Sequence, residues 1–190
     1  MKRVVILAFA IVAMSFADSA AAQPPAVREP AGLERVRLLY LDAVESARGI
    51  APGLAEVDRQ RATERDPDAA ATLAAYRGAF ILLRAKHGTW PPDRLRYTRR
   101  GLAVLDSVVA AHPEQAEVRY LRLMSCYYLP RILGRKWSVR EDFAALARLL
   151  PSVRSQYPPD LYRAIVDFVL QNGTPTPAQR AALQASIGDG

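Results

Sequence analysis

Apolar side chains recur every three or four residues through most of the chain after residue 30, with polar side chains between them. This spacing places the apolar side chains along one face of an α-helix. No segment shows the strict alternation expected of a half-buried β-strand. The sequence therefore predicts an all-α protein. The first predicted helix carries five such residues on one face: Leu33, Val36, Tyr40, Val44 and Ala47.

Residues 31–66 are predicted to form an N-terminal helical cap. Gly49 and Pro52 mark the end of its first helix, because both residue types commonly follow a helix end. The segment 53–65 is polar and has few side chains to bury, which indicates a short helix or helical turn.

Proline recurs at an interval of 46 residues, at Pro67, Pro113 and Pro159, and an acidic residue follows each one. Proline suits the first position of a helix, where its missing N–H would have no partner, and a carboxylate suits the positive end of the helix dipole. We therefore predict three equivalent helix starts and a repeating architecture. The predicted units are 67–112, 113–158 and a shortened third unit, 159–190.

Each full unit is predicted to contain two helices joined by a loop with glycine and tryptophan. We expect the tryptophans to pack each loop against the neighbouring unit, with a role as binding anchors as the alternative. Ser138 and Glu141 have the spacing of a capping box, which predicts the start of the second helix in unit two. The loop residues are Gly88 and Trp90 in unit one, and Gly134 and Trp137 in unit two.

The first helix of unit two is apolar on two faces. Val118 and Leu121 lie on one face, and Tyr120 and Leu123 lie on the other. A helix with two apolar faces is packed on both sides, as in a stack of helical hairpins.

Part of the chain, over roughly residues 70–156, resembles small exported bacterial proteins of the tetratricopeptide-repeat-like (TPR-like) class. The resemblance implies an array of helical hairpins that binds a peptide or protein on a concave face, and it implies no catalytic residues. A TPR unit has about 34 residues and these units are longer, so we expect an irregular TPR-like α-α superhelix. The segments that carry the resemblance are 101–106 (GLAVLD), 110–117 (AAHPEQAE), 119–123 (RYLRL) and 129–134 (LPRILG).

The first 22 residues have the organisation of a cleavable secretory signal peptide. Lys2 and Arg3 precede an apolar stretch over 4–17, and three alanines end at Ala22. We predict cleavage after Ala22 and a periplasmic or secreted protein, with retention as a membrane anchor as the alternative. Residues 23–30 are rich in proline and are predicted to form a disordered tether.

The formal net charge is +7, and the predicted signal peptide, which here is also called the leader, contributes +1 of it. After the leader, Lys86 and Lys136 are the only lysines, so arginine supplies the rest of the positive charge. This arginine bias is typical of a GC-rich genome, and expected export also argues against a nucleic-acid partner. Cys126 is the only cysteine, which excludes an internal disulfide and predicts a buried side chain.

The sequence offers little catalytic chemistry. His87 and His112 have no carboxylate at ligand spacing, so we predict no metal and no cofactor, and expect both rings to contact the backbone nearby. No nucleophile motif or phosphate-binding glycine loop is present. A small hydrolase, with a site assembled only in the folded chain, is the weakest hypothesis.

Arginine supplies the candidate binding residues. Arg119 and Arg122 lie between the two apolar faces of their helix, where partial burial requires a partner for each guanidinium, either internal or a ligand. With Arg99 and Tyr120, they are our predicted contacts for an unidentified envelope protein or peptide. The leading hypothesis is thus a non-catalytic periplasmic scaffold or adaptor. The alternative is a factor that binds anionic lipid or lipopolysaccharide phosphate through an arginine-rich face.

Overall fold

The computed structural model describes residues 31–188, and this part of the chain contains eight α-helices and no β-strand. The prediction of an all-α, repeat-like protein is confirmed. The predicted signal peptide, 1–22, and tether, 23–30, lie outside the described residues. The helices are α1 Ala31–Glu45, α2 Ile50–Arg61, α3 Pro67–His87, α4 Pro91–Ala111, α5 Ala116–Tyr127, α6 Lys136–Leu149, α7 Pro159–Asn172 and α8 Pro177–Gly188.

Successive helices run in alternating directions, so alternate turns lie at the same end of the array. Lys86, at the end of α3, donates a hydrogen bond to the carbonyl of Val44, near the end of α1. Tyr127, at the end of α5, donates to Asn172, at the end of α7, at 3.0 Å. These contacts place the C-terminal ends of the odd-numbered helices together. We call this the loop end; its turns are 46–49, 88–90, 128–135 and 173–176.

Two apolar cores fill the array, and α5 lies between them. Val118 and Leu121 of α5 belong to the core formed with α1 to α4. Ala116 and Leu123 belong to the core formed with α6 to α8, where Tyr120 packs at the edge. The prediction that this helix is packed on two sides is confirmed.

Helix α3 packs closely against α4 on one side and α2 on the other, and glycine lies at each contact. Gly78 of α3 faces Gly101 and Leu105 of α4, where a Cβ on Gly78 would lie 3.1 Å from the Leu105 side chain. On the other flank, a Cβ on Gly53 of α2 would overlap the ring of Phe80. The Phe80 ring is fully buried, so it cannot move aside into solvent.

We therefore expect Gly53→Ala to lower the free energy of unfolding by about 1–3 kcal/mol, the usual effect of overpacking a core. This loss opposes the roughly 1 kcal/mol that alanine gains over glycine within a helix. Urea denaturation of the variant would measure the change. Gly188→Ala is the matched control, because nothing lies within 4 Å of its added Cβ. A Gly53→Ala protein as stable as the parent would contradict the close contact.

The helix starts differ in two places from those predicted. Pro67 and Pro159 occupy the first positions of α3 and α7 as expected, but α5 begins three residues after Pro113, at Ala116. The predicted capping box is also wrong. Helix α6 begins before Ser138, at Lys136, and the Ser138 hydroxyl is buried without a hydrogen-bond partner within the described part of the chain.

Candidate functional site

Arg119 and Arg122 project from α5 into a polar cluster between α4, α5 and α6. Arg122 forms a bidentate ion pair with Asp142: its Nε donates to Oδ2 at 2.8 Å and its Nη2 donates to Oδ1 at 2.7 Å. Arg119 Nη1 donates to the same Oδ1 at 3.0 Å and to Glu141 at 2.9 Å. Both arginines are buried, and the Asp142 side chain is 0% exposed. We call these four residues the α5–α6 ion cluster.

Burial and charge act in opposite directions on this cluster. Burial raises the pKa of Asp142, although hydrogen bonds from Arg122 and Arg119 oppose the rise. Burial alone would lower the pKa of Arg122, but its bonds to Asp142 and Glu141 raise it above the usual range. Burial raises the pKa of Glu141 less than the two arginines lower it. The two guanidinium groups are therefore matched by two carboxyl groups within the chain.

The four predicted contact residues do not form a common surface. Arg119 and Arg122 have internal partners, and Tyr120 is partly buried with its ring against Phe168 at a centroid distance of 6.2 Å. Burial also raises the pKa of the Tyr120 hydroxyl. Of the four, Arg99 alone is exposed. Contact of these residues with a partner stays a prediction, but the geometry gives the two α5 arginines a structural role.

Sequence reasoning missed a second buried ion pair, which joins α1 to α5. Arg37 donates to both carboxylate oxygens of Glu117, at 2.8 and 2.6 Å, and Tyr76 of α3 donates to the same carboxylate at 2.7 Å. Glu117 is buried. A signal was present, because Glu117 precedes the buried Leu121 by four residues and therefore lies on its apolar face.

The two tryptophans are exposed, so the prediction that they pack between units is wrong. Trp90 is 64% exposed and Trp137 is 55% exposed. The ring of Trp137 lies against two guanidinium groups, at 5.8 Å from Arg122 and 5.5 Å from Arg135. One part of the indole therefore packs on the guanidinium groups of Arg122 and Arg135, and the rest faces solvent.

The connection from α5 to α6 presents further apolar side chains at the loop end. Tyr128 is 70% exposed, and Ile132, in the 3-10 turn Arg131–Leu133, is 92% exposed. Gly134 closes this turn with a φ of 67°, in the left-handed region that glycine adopts most readily. The turn therefore holds Ile132 at its apex, with its side chain in solvent.

Cationic side chains surround this connection. Arg131 lies on it, Lys136 is the first residue of α6, and Arg99 lies on α4; all three are exposed. None of the three makes an ion pair with another residue of the described segment 31–188. We call the exposed residues of this region the loop-end surface: Leu95, Arg99, Tyr128, Arg131, Ile132, Lys136 and Trp137.

Among residues 31–188, Cys126 is enclosed and His87 has a backbone partner, whereas the His112 ring makes no hydrogen bond, so the backbone contact expected of it is absent. Burial raises the pKa of the Cys126 thiol, and its side chain lies inside the fold as predicted. The His87 ring contacts a backbone carbonyl at 2.9 Å, but this carbonyl belongs to Ala43 of α1 and not to a residue nearby in the chain as predicted. A cavity of about 480 Å³ lies beside α7 and α8, where Tyr162 and Ser186 are bonded to each other.

The residues from 31 to 188 contain no group of three or more histidine, cysteine or acidic side chains that could hold a metal ion. Within the same residues, no helix combines the length and apolar character needed to cross a membrane. No protein-family model, curated protein or solved structure matches this chain.

Proposed function

We propose that this chain is a non-catalytic interaction module of the cell envelope, which binds a protein or peptide partner through its loop-end surface. The observation that carries the proposal is the exposure of Trp137, Ile132 and Tyr128 near cations that have no ion-pair partner among residues 31–188. Exposed aromatic side chains with neighbouring arginines are the residues that most often contribute binding energy at protein interfaces. We further propose that the hairpins belong to a TPR-like superhelix with units 67–112, 113–158 and 159–190.

In this proposal Arg99 contacts the partner, whereas Arg119 and Arg122 have a structural role. The two buried arginines support the surface from within, because Arg122 lies beneath the Trp137 ring. Tyr120 contributes to the core that holds α5 against α7. The proposed contacts are therefore the exposed side chains of the 128–137 segment together with Arg99.

Crosslinking in cells tests the proposal at a single position. A benzophenone-bearing residue in place of Ile132 should give one discrete crosslinked product, because the side chain at this position extends into solvent. The product should be recovered from the periplasmic fraction, with a chain that begins at Gln23. Ala110 is the matched control, since it is exposed at the opposite end of α4.

Two outcomes would contradict the proposal. One is the absence of any crosslinked product at position 132 although the protein accumulates normally. The other is the same set of products at positions 132 and 110, which would indicate random collisions. Recovery of the chain from the cytoplasm with its leader intact would contradict the envelope assignment alone.

A further inference from the structure

We infer that the loop-end surface accepts an acidic peptide segment with an apolar anchoring side chain, seated in a recess between α4 and the 128–135 connection. This inference rests on the proposed function and names the chemistry of the partner. Three observations carry it: the relative lengths of the helices, the charge of the surface and the fixed position of Trp137.

The recess follows from how far α4 and α6 each extend towards the loop end, measured from the ion pairs that join them to α5. Arg122 binds Asp142 on α6 and also contacts Asp106 on α4 at 3.4 Å, so these two carboxylates lie at one level. Helix α4 begins fifteen residues before Asp106, whereas α6 begins six residues before Asp142. At about 1.5 Å per residue, α4 extends roughly 13 Å farther towards the loop end than α6 does.

Helix periodicity then places Leu95 and Arg99 on the wall of this recess. They precede Asp106 by eleven and seven residues, which are close to whole numbers of helical turns, so all three share one flank of α4. Asp106 on that flank contacts Arg135, at the end of the 128–135 connection. Leu95 and Arg99 therefore lie on the flank of α4 that faces the connection, and the inferred segment of chain lies between them and Ile132.

The charge of the recess favours an acidic segment. Arg99, Arg131 and Lys136 have no ion-pair partner within the described residues, whereas the carboxylates of this part of the fold are bound by arginine, including Asp93 by Arg96. Asp106 contacts Arg122 and Arg135, and Glu141 is bound by Arg119 and Arg122. A cationic surface whose acids are bound internally attracts a partner of opposite charge and accelerates its association.

Trp137 is held in place before any partner arrives. Its ring lies on Arg122 and Arg135, and these guanidinium groups are fixed by Asp142 and Asp106 respectively. An aromatic side chain that is already fixed loses little conformational entropy on binding. The side chain can therefore anchor an apolar residue of the segment, while the cations bind the acidic residues around it.

The shape of this end favours a peptide over a lipid surface. A flat bilayer approaching the loop end would meet the projecting start of α4 and the 88–90 turn before it reached the connection. A narrow peptide can enter the recess beside α4. The alternative of anionic lipid is therefore an outcome that the test must distinguish.

Binding of synthetic peptides to the purified chain tests the inference. The probes are a short fluorescent peptide of glutamate residues around one phenylalanine, the same peptide with alanine at that position, and a lysine version. We expect the glutamate–phenylalanine peptide to bind most tightly and the lysine version not to bind. Raising the salt concentration should weaken binding.

Two loop-end variants and one control locate the site. Arg99→Glu with Lys136→Glu should weaken binding at least about ten-fold by replacing attraction with repulsion, and Ile132→Ser should weaken it through loss of apolar contact. Arg61→Glu with Arg65→Glu changes the net charge equally at the opposite end and should leave affinity nearly unchanged. Ile132 is 92% exposed, so its replacement leaves the fold intact.

Equal loss in the control variant would show non-specific attraction and overturn the inference. Failure of the glutamate–phenylalanine peptide to bind would also overturn it, while a crosslink at position 132 would still support the proposed function. Flotation with phosphatidylglycerol vesicles, lost in Ile132→Ser and kept in the Arg61 and Arg65 control, would identify a lipid surface as the occupant instead.

Discussion

Replacement of Asp142 by asparagine should lower the free energy of unfolding by about 3 kcal/mol, one of the two largest effects that we expect. The substitution keeps the size of the side chain but removes the charge that Arg122 and Arg119 share. Removal of one partner from a buried ion pair costs about 3–5 kcal/mol, because the opposite charge stays buried without compensation. We expect the lower end of this range, since Glu141 still binds both arginines.

Urea denaturation, followed by circular dichroism, measures this loss. Glu114→Gln is the matched control: it removes one charge from an exposed ion pair with Arg148 and should change stability little, because solvent screens such pairs. If Asp142→Asn were as stable as the parent, the arginines could not depend on this carboxylate. If Asp142→Asn instead lost peptide binding with no change in the free energy of unfolding, Arg119 and Arg122 would be ligand contacts.

The sequence was sufficient for those parts of the fold that depend on local spacing. The apolar periodicity of α5 predicts both of its packed faces, because side chains three and four residues apart share a helix face wherever the helix lies. Pro67 and Pro159 start helices because the fixed φ and missing N–H of proline suit the first position of a helix. These features need no knowledge of neighbouring helices.

The predicted helix starts failed where another side chain binds a group near the predicted start. Glu141 has capping-box spacing from Ser138, but its carboxylate binds Arg119 and Arg122 from α5 instead. The carbonyl of Pro113 accepts a hydrogen bond from Arg119 at 2.8 Å, within the turn that precedes α5. The two arginines that bind Glu141 lie 22 and 19 residues away from it along the chain, outside a local window, whereas Arg119 lies only six residues after Pro113.

The same reason limits what the sequence says about the candidate site. Burial of Arg122 could be expected from its place between two apolar faces, but its partner depends on the register of α5 against α6. Trp90 and Trp137 have the residue type of a packed core side chain, and only the positions of the helices show that they face solvent. The exposed surface was therefore found at the loop end and not on the α5 arginines.

The second large effect is expected at Glu117, which connects three helices. Glu117→Gln should lower the free energy of unfolding by about 3–5 kcal/mol, because the buried guanidinium of Arg37 loses the carboxylate that binds it through two hydrogen bonds. Tyr76 would also lose its charged acceptor; burial and the nearby Glu117 carboxylate together raise the pKa of its hydroxyl well above the usual value.

A double-mutant cycle separates this pair from general damage to the core. Arg37→Met alone should also be strongly destabilising, since it leaves the Glu117 carboxylate buried without its guanidinium. Arg37→Met combined with Glu117→Gln should lose less than the sum of the two single changes, by roughly 1–3 kcal/mol, because the second substitution removes a carboxylate that has already lost its guanidinium partner. Additive losses would contradict a direct pair.

Hydrogen exchange measures which helices lose stability in the Glu117→Gln protein. Apart from apolar contacts, Arg37 supplies the buried ion pair that joins α1 to α5, so the Glu117→Gln protein should exchange the amides of α1 much faster than the parent. Amides of α7, in the second core, should change least, because Ile165 and Val169 pack away from the pair. Uniform acceleration throughout both cores would show that the array unfolds as one unit and that the pair does not act on α1 in particular.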